Sequence, residues 1–94
     1  MTSRERAELR KHANSIDTIF QIGKDGIDSN LIAGIRSAIE ARELIKCRVQ
    51  DSCELSAREA AEIIADKLAA EPVQVIGSRF VLYKRNTKVD KYGI

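Results

Sequence analysis

The chain has 94 residues, 44% of them hydrophobic and 32% charged, with a formal net charge of +2. That is the makeup of one globular domain with a modest core, and it excludes the disordered, collagenous and fibrous classes. Two Tyr, two Phe and no Trp rule out a mechanism that needs several stacking platforms, and no stretch approaches the roughly 18 apolar residues of a membrane span.

No apolar run follows Met1-Thr2-Ser3-Arg4-Glu5-Arg6, so this segment is not read as a signal peptide, and the cytoplasm is the expected location. Thr2-Ser3-Arg4-Glu5 is a capping box that opens a helix running to about Asn14. Ala7, Leu9 and Ala13 give this helix a weak apolar stripe, and its outer face carries Arg4, Arg6, Arg10 and Lys11. Thr18 to Ile22 is β-rich and ends at Gly23. After Gly23-Lys24-Asp25-Gly26, Asp28 or Ser29 caps a second helix, whose Leu31, Ile32, Ile35, Ala38 and Ile39 share one face. From Glu43 to Gln50, Ile45, Cys47 and Val49 alternate with Lys46 and Arg48, which predicts a strand with one apolar and one positive face. Ser56-Ala57-Arg58-Glu59 is a second capping box, and the helix behind it must stop before Pro72. Val73 to Ile76 and Phe80 to Lys84 form a hairpin around a Gly77-Ser78 turn. The polar tail from Arg85 to Ile94 is expected to fray.

The order is α-β-α-β-α-β-β. Strands joined through a helix are usually parallel, and the last pair is an antiparallel hairpin. The expected product is a single compact α/β (α+β) domain over residues 1–85, a mixed four-stranded sheet with packed helices, followed by a tail over 86–94.

Chemistry-bearing residues are few. Cys47, Cys53 and the single His12 do not make up the four soft ligands of a structural zinc site. Cys47 reads as a small core residue, Cys53 as a free loop thiol, and His12 as a surface or RNA-facing side chain. No nucleophile elbow, Walker loop or dinucleotide fingerprint is present. The carboxylates are scattered among basic neighbours with no pair spaced for acid/base work, so an enzyme, a metal and a cofactor are all disfavoured.

Charge is unevenly distributed. Residues 79–91 carry Arg79, Lys84, Arg85, Lys88 and Lys91 against Asp90 alone, and residues 1–12 are also basic. Over 56–71, acidic side chains outnumber Arg58 and Lys67. A near-neutral total therefore hides an asymmetry that suits a polyanionic partner on one side of the molecule. Gly23-Lys24-Asp25-Gly26 fits the same partner. Two glycines let backbone amides approach a phosphate, the helix that follows adds its positive end, and Lys24 adds a mobile cation. As a bare motif it is weak, because Gly-x-x-Gly is common and more often a simple turn.

Its surroundings sharpen the reading. Arg6-x-x-Leu9-Arg10-x-x-Ala13, Gln21-Ile22-Gly23-Lys24-Asp25-Gly26-Ile27, Glu43-Leu44-Ile45-Lys46-Cys47, Val73-Gln74-Val75-Ile76-Gly77 and Val81-Leu82-Tyr83-Lys84 follow one another across residues 4–85. With these strings the chain resembles the CRM (chloroplast RNA splicing and ribosome maturation) domain family in its stand-alone bacterial YhbY-like form. The resemblance implies a fold similar to the C-terminal domain of a bacterial translation initiation factor. It also implies a non-catalytic RNA-binding protein that acts on ribosomal RNA or precursors of the large ribosomal subunit. The RNA contacts it implies are Gly23, Lys24, Asp25 and Gly26, with Arg6, Arg10, Lys11 and Lys84 in support. No cofactor, membrane or small-molecule substrate is implied, and a monomer is expected. A module that docks on a ribosomal protein is the competing reading. The family often has a proline before its first strand where this chain has Asp17-Thr18, and its usual Leu-Tyr-Arg ending reads Leu82-Tyr83-Lys84. A lysine there keeps the charge but loses the bidentate fork. Glu43 can be structural or can contact RNA, and Lys46 and Arg48 are open to either role.

Overall fold

The computed structural model describes residues 1–94. The elements in chain order are α1 (Ser3–Ala13), β1 (Thr18–Ile22), α2 (Ser29–Arg42), β2 (Leu44–Val49), α3 (Ala57–Leu68), β3 (Glu71–Ile76) and β4 (Arg79–Tyr83). They form one sheet of strand order β1-β2-β4-β3. β1 runs parallel to β2, while β2 with β4 and β4 with β3 are antiparallel. The expected α+β order and mixed sheet are therefore both present.

Helices cover the sheet unequally on its two faces. On one side α2 and α3 bury a cluster of 14 residues, among them Ile35, Ile39, Ile45, Cys47, Ile64, Phe80 and Leu82. On the other side α1 buries only six, namely Leu9, Ala13, Leu44, Val73, Val81 and Tyr83. Strand alternation sorts the residues: Ile45, Cys47 and Val49 point to the large cluster, and Leu44 to the small one. Leu44 and Ile45 are thus both core, on opposite faces. Burial pushes the Cys47 thiol up to about 12, which makes it an inert core group.

Both capping boxes form: the Thr2 hydroxyl accepts from the Glu5 amide and the Ser56 hydroxyl from the Glu59 amide, with both glutamates reaching back. Asp28, not Ser29, caps α2, its carboxylate accepting from the Leu31 amide at 2.8 Å. Gly34 faces β1 where a Cβ would stand 3.0 Å from the Phe20 ring, so a side chain there would have to push the ring aside.

α3 stops before Pro72 as expected, at Leu68, where Ala69 turns left-handed with φ 54° and ψ 39°. Three features differ from expectation. Pro72 then lies inside β3, which is tolerated because β3 is an edge strand and needs no ladder donor on its open side. The register slips between Pro72 and Gln74, and likewise between Thr18 and Phe20 in β1. The first slip explains why Val73 faces α1 while Val75, two residues on, faces α2 and α3.

The third difference is the tail, which folds back onto the domain. The Glu43 carboxylate is fully buried and accepts from the Asn86 amide at 2.8 Å and the Lys91 amide at 2.5 Å. The Asn86 side chain donates to the Glu40 carbonyl at 2.7 Å. Tyr92 then packs edge-on against both His12 and Tyr83.

Candidate nucleic-acid interface

The Gly-Lys-Asp-Gly segment is a tight turn at the end of β1, closed by the Gly26 amide donating to the Gly23 carbonyl at 3.0 Å. Gly26 has φ +68°, a conformation open to glycine at little cost. Gly23 serves differently: a Cβ there would fall 2.8 Å from the Gln50 side-chain oxygen. That glutamine is held in place, since its amide nitrogen donates to the Gln21 side-chain oxygen at 2.7 Å. Lys24 and Asp25 are exposed at the tip.

The turn lines one wall of an open groove. Gln21, Gln50 and Ser52 line the groove as well, and Asp28, Asn30 and Leu31 form its helical end. The first turn of α2 presents its amides here, yet the Asp28 carboxylate already occupies one of them. Lys24 therefore shares the groove with two carboxylates, those of Asp25 and Asp28. The loop supplies backbone access and one cation, but no net excess of positive charge.

The supporting basic residues lie elsewhere. Arg6 sits half-buried on α1, and its Nε donates to the Pro72 carbonyl at 3.2 Å. Lys11 pairs with Glu8 at 3.0 Å in an exposed contact, and Arg10 is exposed in the same last turn of α1. Lys84 lines a separate depression with Glu40, Arg85, Asn86 and Thr87. The four loop residues thus come together in one groove, and Arg6, Arg10, Lys11 and Lys84 do not line it.

Glu43 is structural. It is the sole charged side chain that the fold buries, and its carboxylate is spent on the tail. Lys46 and Arg48 are half-exposed on the face that α1 covers only in part. His12 is exposed, contacts Tyr92 through its ring, and is bonded by no carboxylate. No group of three or more His, Cys, Asp or Glu side chains is placed to hold a metal ion. No helix is long and apolar enough to cross a membrane.

Sequence reading finds the loop but does not single out Gln21, Gln50 and Ser52 as its partners. The signal available for Gln21 and Gln50 is their place at the polar ends of strands next to glycine or a turn.

Comparison with known proteins decides the family. The model of the CRS1 / YhbY (CRM) domain matches residues 1–84. The chain belongs to the CRM domain family. Among its CRM relatives is the "Probable RNA-binding protein YqeI" of Bacillus subtilis (strain 168), 40% identical over 86 residues, which cover 92% of this chain and 90% of the relative. The solution structure of the hypothetical protein SAV1595 from Staphylococcus aureus has the same fold. It superposes with a TM-score of 0.75 at 41% identity, covering 92% of this chain and 90% of that one. In this CRM chain the quoted strings fall on distinct parts of the fold: the Gly-x-x-Gly segment on the groove, Glu43 on the tail anchor, and Val73 to Gly77 on the edge hairpin.

Proposed function

We propose that this protein is a non-catalytic RNA-binding domain that engages the RNA backbone through the Gly23–Gly26 turn and acts on ribosomal RNA in large-subunit assembly. The observation that carries the reading is the exposed turn itself, placed in a groove that it lines together with amide and hydroxyl side chains. Membership of a family whose 40% identical relative is named for RNA binding supports it. The resemblance to YhbY-like proteins supports the ribosomal assignment.

In this reading Gly23 and Gly26 admit a phosphate to the backbone amides, and Lys24 neutralises it. Asp25 turns outward to solvent or to a ribose hydroxyl. Gln21 and Gln50 offer donors and acceptors to a sugar or base edge. With few aromatic residues, recognition rests on backbone and shape. The protein works as a monomer in the cytoplasm.

The test is a titration of labelled large-subunit ribosomal RNA fragments, with a DNA control, at two salt concentrations. Binding that weakens with salt and weakens across all fragments in Lys24→Ala supports the reading. Unchanged affinity in that variant removes the loop from the account. Absence of RNA binding by folded wild type turns the search to a ribosomal protein as partner.

A further inference from the structure

We infer that RNA also crosses the open half of the sheet, where Arg48 and Arg79 form a phosphate-binding row that continues the loop groove. This rests on the RNA reading of the loop and extends it to a second surface.

The row follows from strand register. Gln21 in β1 lies beside Arg48 in β2, Arg48 opposite Arg79 in β4, and Arg79 opposite Ile76 in β3. Alternation puts all of them on the face away from α2 and α3, since Ile22, Val49 and Phe80 point into the large cluster. α1 covers the other end of this face, over Leu44, Val81 and Tyr83, and leaves Arg79 and Ile76 exposed and Arg48 half-exposed. Three strand spacings of about 4.8 Å carry the row about 14 Å across the sheet. Its first member, Gln21, already lines the loop groove, so the two surfaces are continuous.

Charge marks the row as unfinished. Directly opposed like charges on an antiparallel pair are destabilising, and here they are two arginines. Lys46, one step away on the same strand face, adds a third cation and shares a depression with Gln74, Ile76 and Arg79. No carboxylate relieves them, because the ion pairs in the molecule are Met1 with Glu71 and Lys11 with Glu8. Like charges that the fold sets side by side without a counter-charge mark a place for an anion. A phosphate between the Arg48 and Arg79 guanidinium groups removes the repulsion. Ile76, 63% exposed at the end of the row, gives an apolar seat for a ribose or base. The row also supplies the positive charge that the loop, with Asp25 and Asp28, does not accumulate.

The experiment compares wild type, Arg48→Gln, Arg79→Gln, Lys24→Ala and, as a control on α3, Arg58→Gln. Each is titrated with a labelled large-subunit ribosomal RNA fragment at two salt concentrations, and the melting temperature of each free protein is measured. Removing either arginine relieves the repulsion, so the free protein should melt about 1–4 °C higher. The same variants should bind RNA about tenfold more weakly, with the salt slope reduced by about one phosphate. Opposite signs for stability and affinity cannot come from misfolding. Arg58→Gln should leave affinity unchanged. If Lys24→Ala weakens binding while Arg48→Gln and Arg79→Gln leave affinity and slope unchanged, the row is overturned and the loop reading stands. If wild type binds no RNA, the RNA reading itself fails. If polyglutamate displaces the RNA at equal charge concentration from wild type but not from Arg79→Gln, the row belongs to an acidic protein and the inference is overturned.

Discussion

The carboxylate of Glu43 holds the backbone amide of Lys91, 48 residues further along the chain. The same carboxylate holds the Asn86 amide, and the Glu43 carbonyl accepts from the Lys84 amide. One residue therefore closes α2, opens β2 and fastens the tail across both. Its backbone sits at φ 65° and ψ −40°, an uncommon conformation for a residue with a side chain. The surroundings hold it there because the carboxylate has two amides to satisfy.

Glu43→Gln keeps the size but gives up one acceptor and sets an amide group against a donor. Charge-assisted bonds of this kind contribute about 1.5–3 kcal/mol each. The variant should lose about 2–4 kcal/mol in urea unfolding, and amide exchange at Asn86 and Lys91 should accelerate most. Glu43→Gly relieves the backbone strain but loses the same bonds, so it should release the tail while losing less global stability than Glu43→Ala.

Ala69 ends α3 in the left-handed conformation, and its side chain is exposed. Glycine at this position carries no Cβ penalty. Ala69→Gly should stabilise the protein by about 0.5–1 kcal/mol, read as a higher urea midpoint with an unchanged slope.

Thiol chemistry should separate the two cysteines. Cys47 is fully buried with its thiol pushed up to about 12, whereas Cys53 is half-buried in the loop after β2. A maleimide titration of the native protein should label Cys53 alone, and unfolding in urea should release the second equivalent. Fast native labelling of both would contradict the packing of β2 against α2 and α3.

Burial, aided by the nearby Glu43 charge, raises both Tyr83 and Tyr92 above their ordinary value of 10.0. A group whose folded value lies above its unfolded one stabilises the fold below the unfolded value and loses that contribution as pH rises through the folded one. The tail should therefore loosen above pH 10, with tyrosine absorbance titrating later in the native protein than in urea. Tyr92→Phe should flatten the loss of stability above pH 10.

Local signals made much of the fold legible. The two capping boxes fixed the starts of α1 and α3, and the Ile45-Lys46-Cys47-Arg48-Val49 alternation fixed both β2 and its positive face. What escaped depends on contacts between distant residues. The polar composition of 86–94 suggests fraying, and nothing local announces that Glu43 will collect its amides. Pro72 marks where a helix must have ended, but only the edge position of β3 allows it inside a strand. The loop was visible from its glycines, whereas its groove partners Gln21 and Gln50 came together through the pairing of β1 with β2. Likewise Lys46 and Arg48 could be placed on one face, but only the β2–β4 register sets Arg79 against Arg48.

The two register slips fall on β1 and β3, the two strands with an open edge. A straight edge is a template on which a second copy can add a strand, and a bulge twists that template out of line. β3 adds a proline that offers no amide at all. Concentrated solutions of the folded protein are thereby guarded against sheet-to-sheet aggregation at both flanks, by the same irregularities that set which way Val73 and Phe20 point.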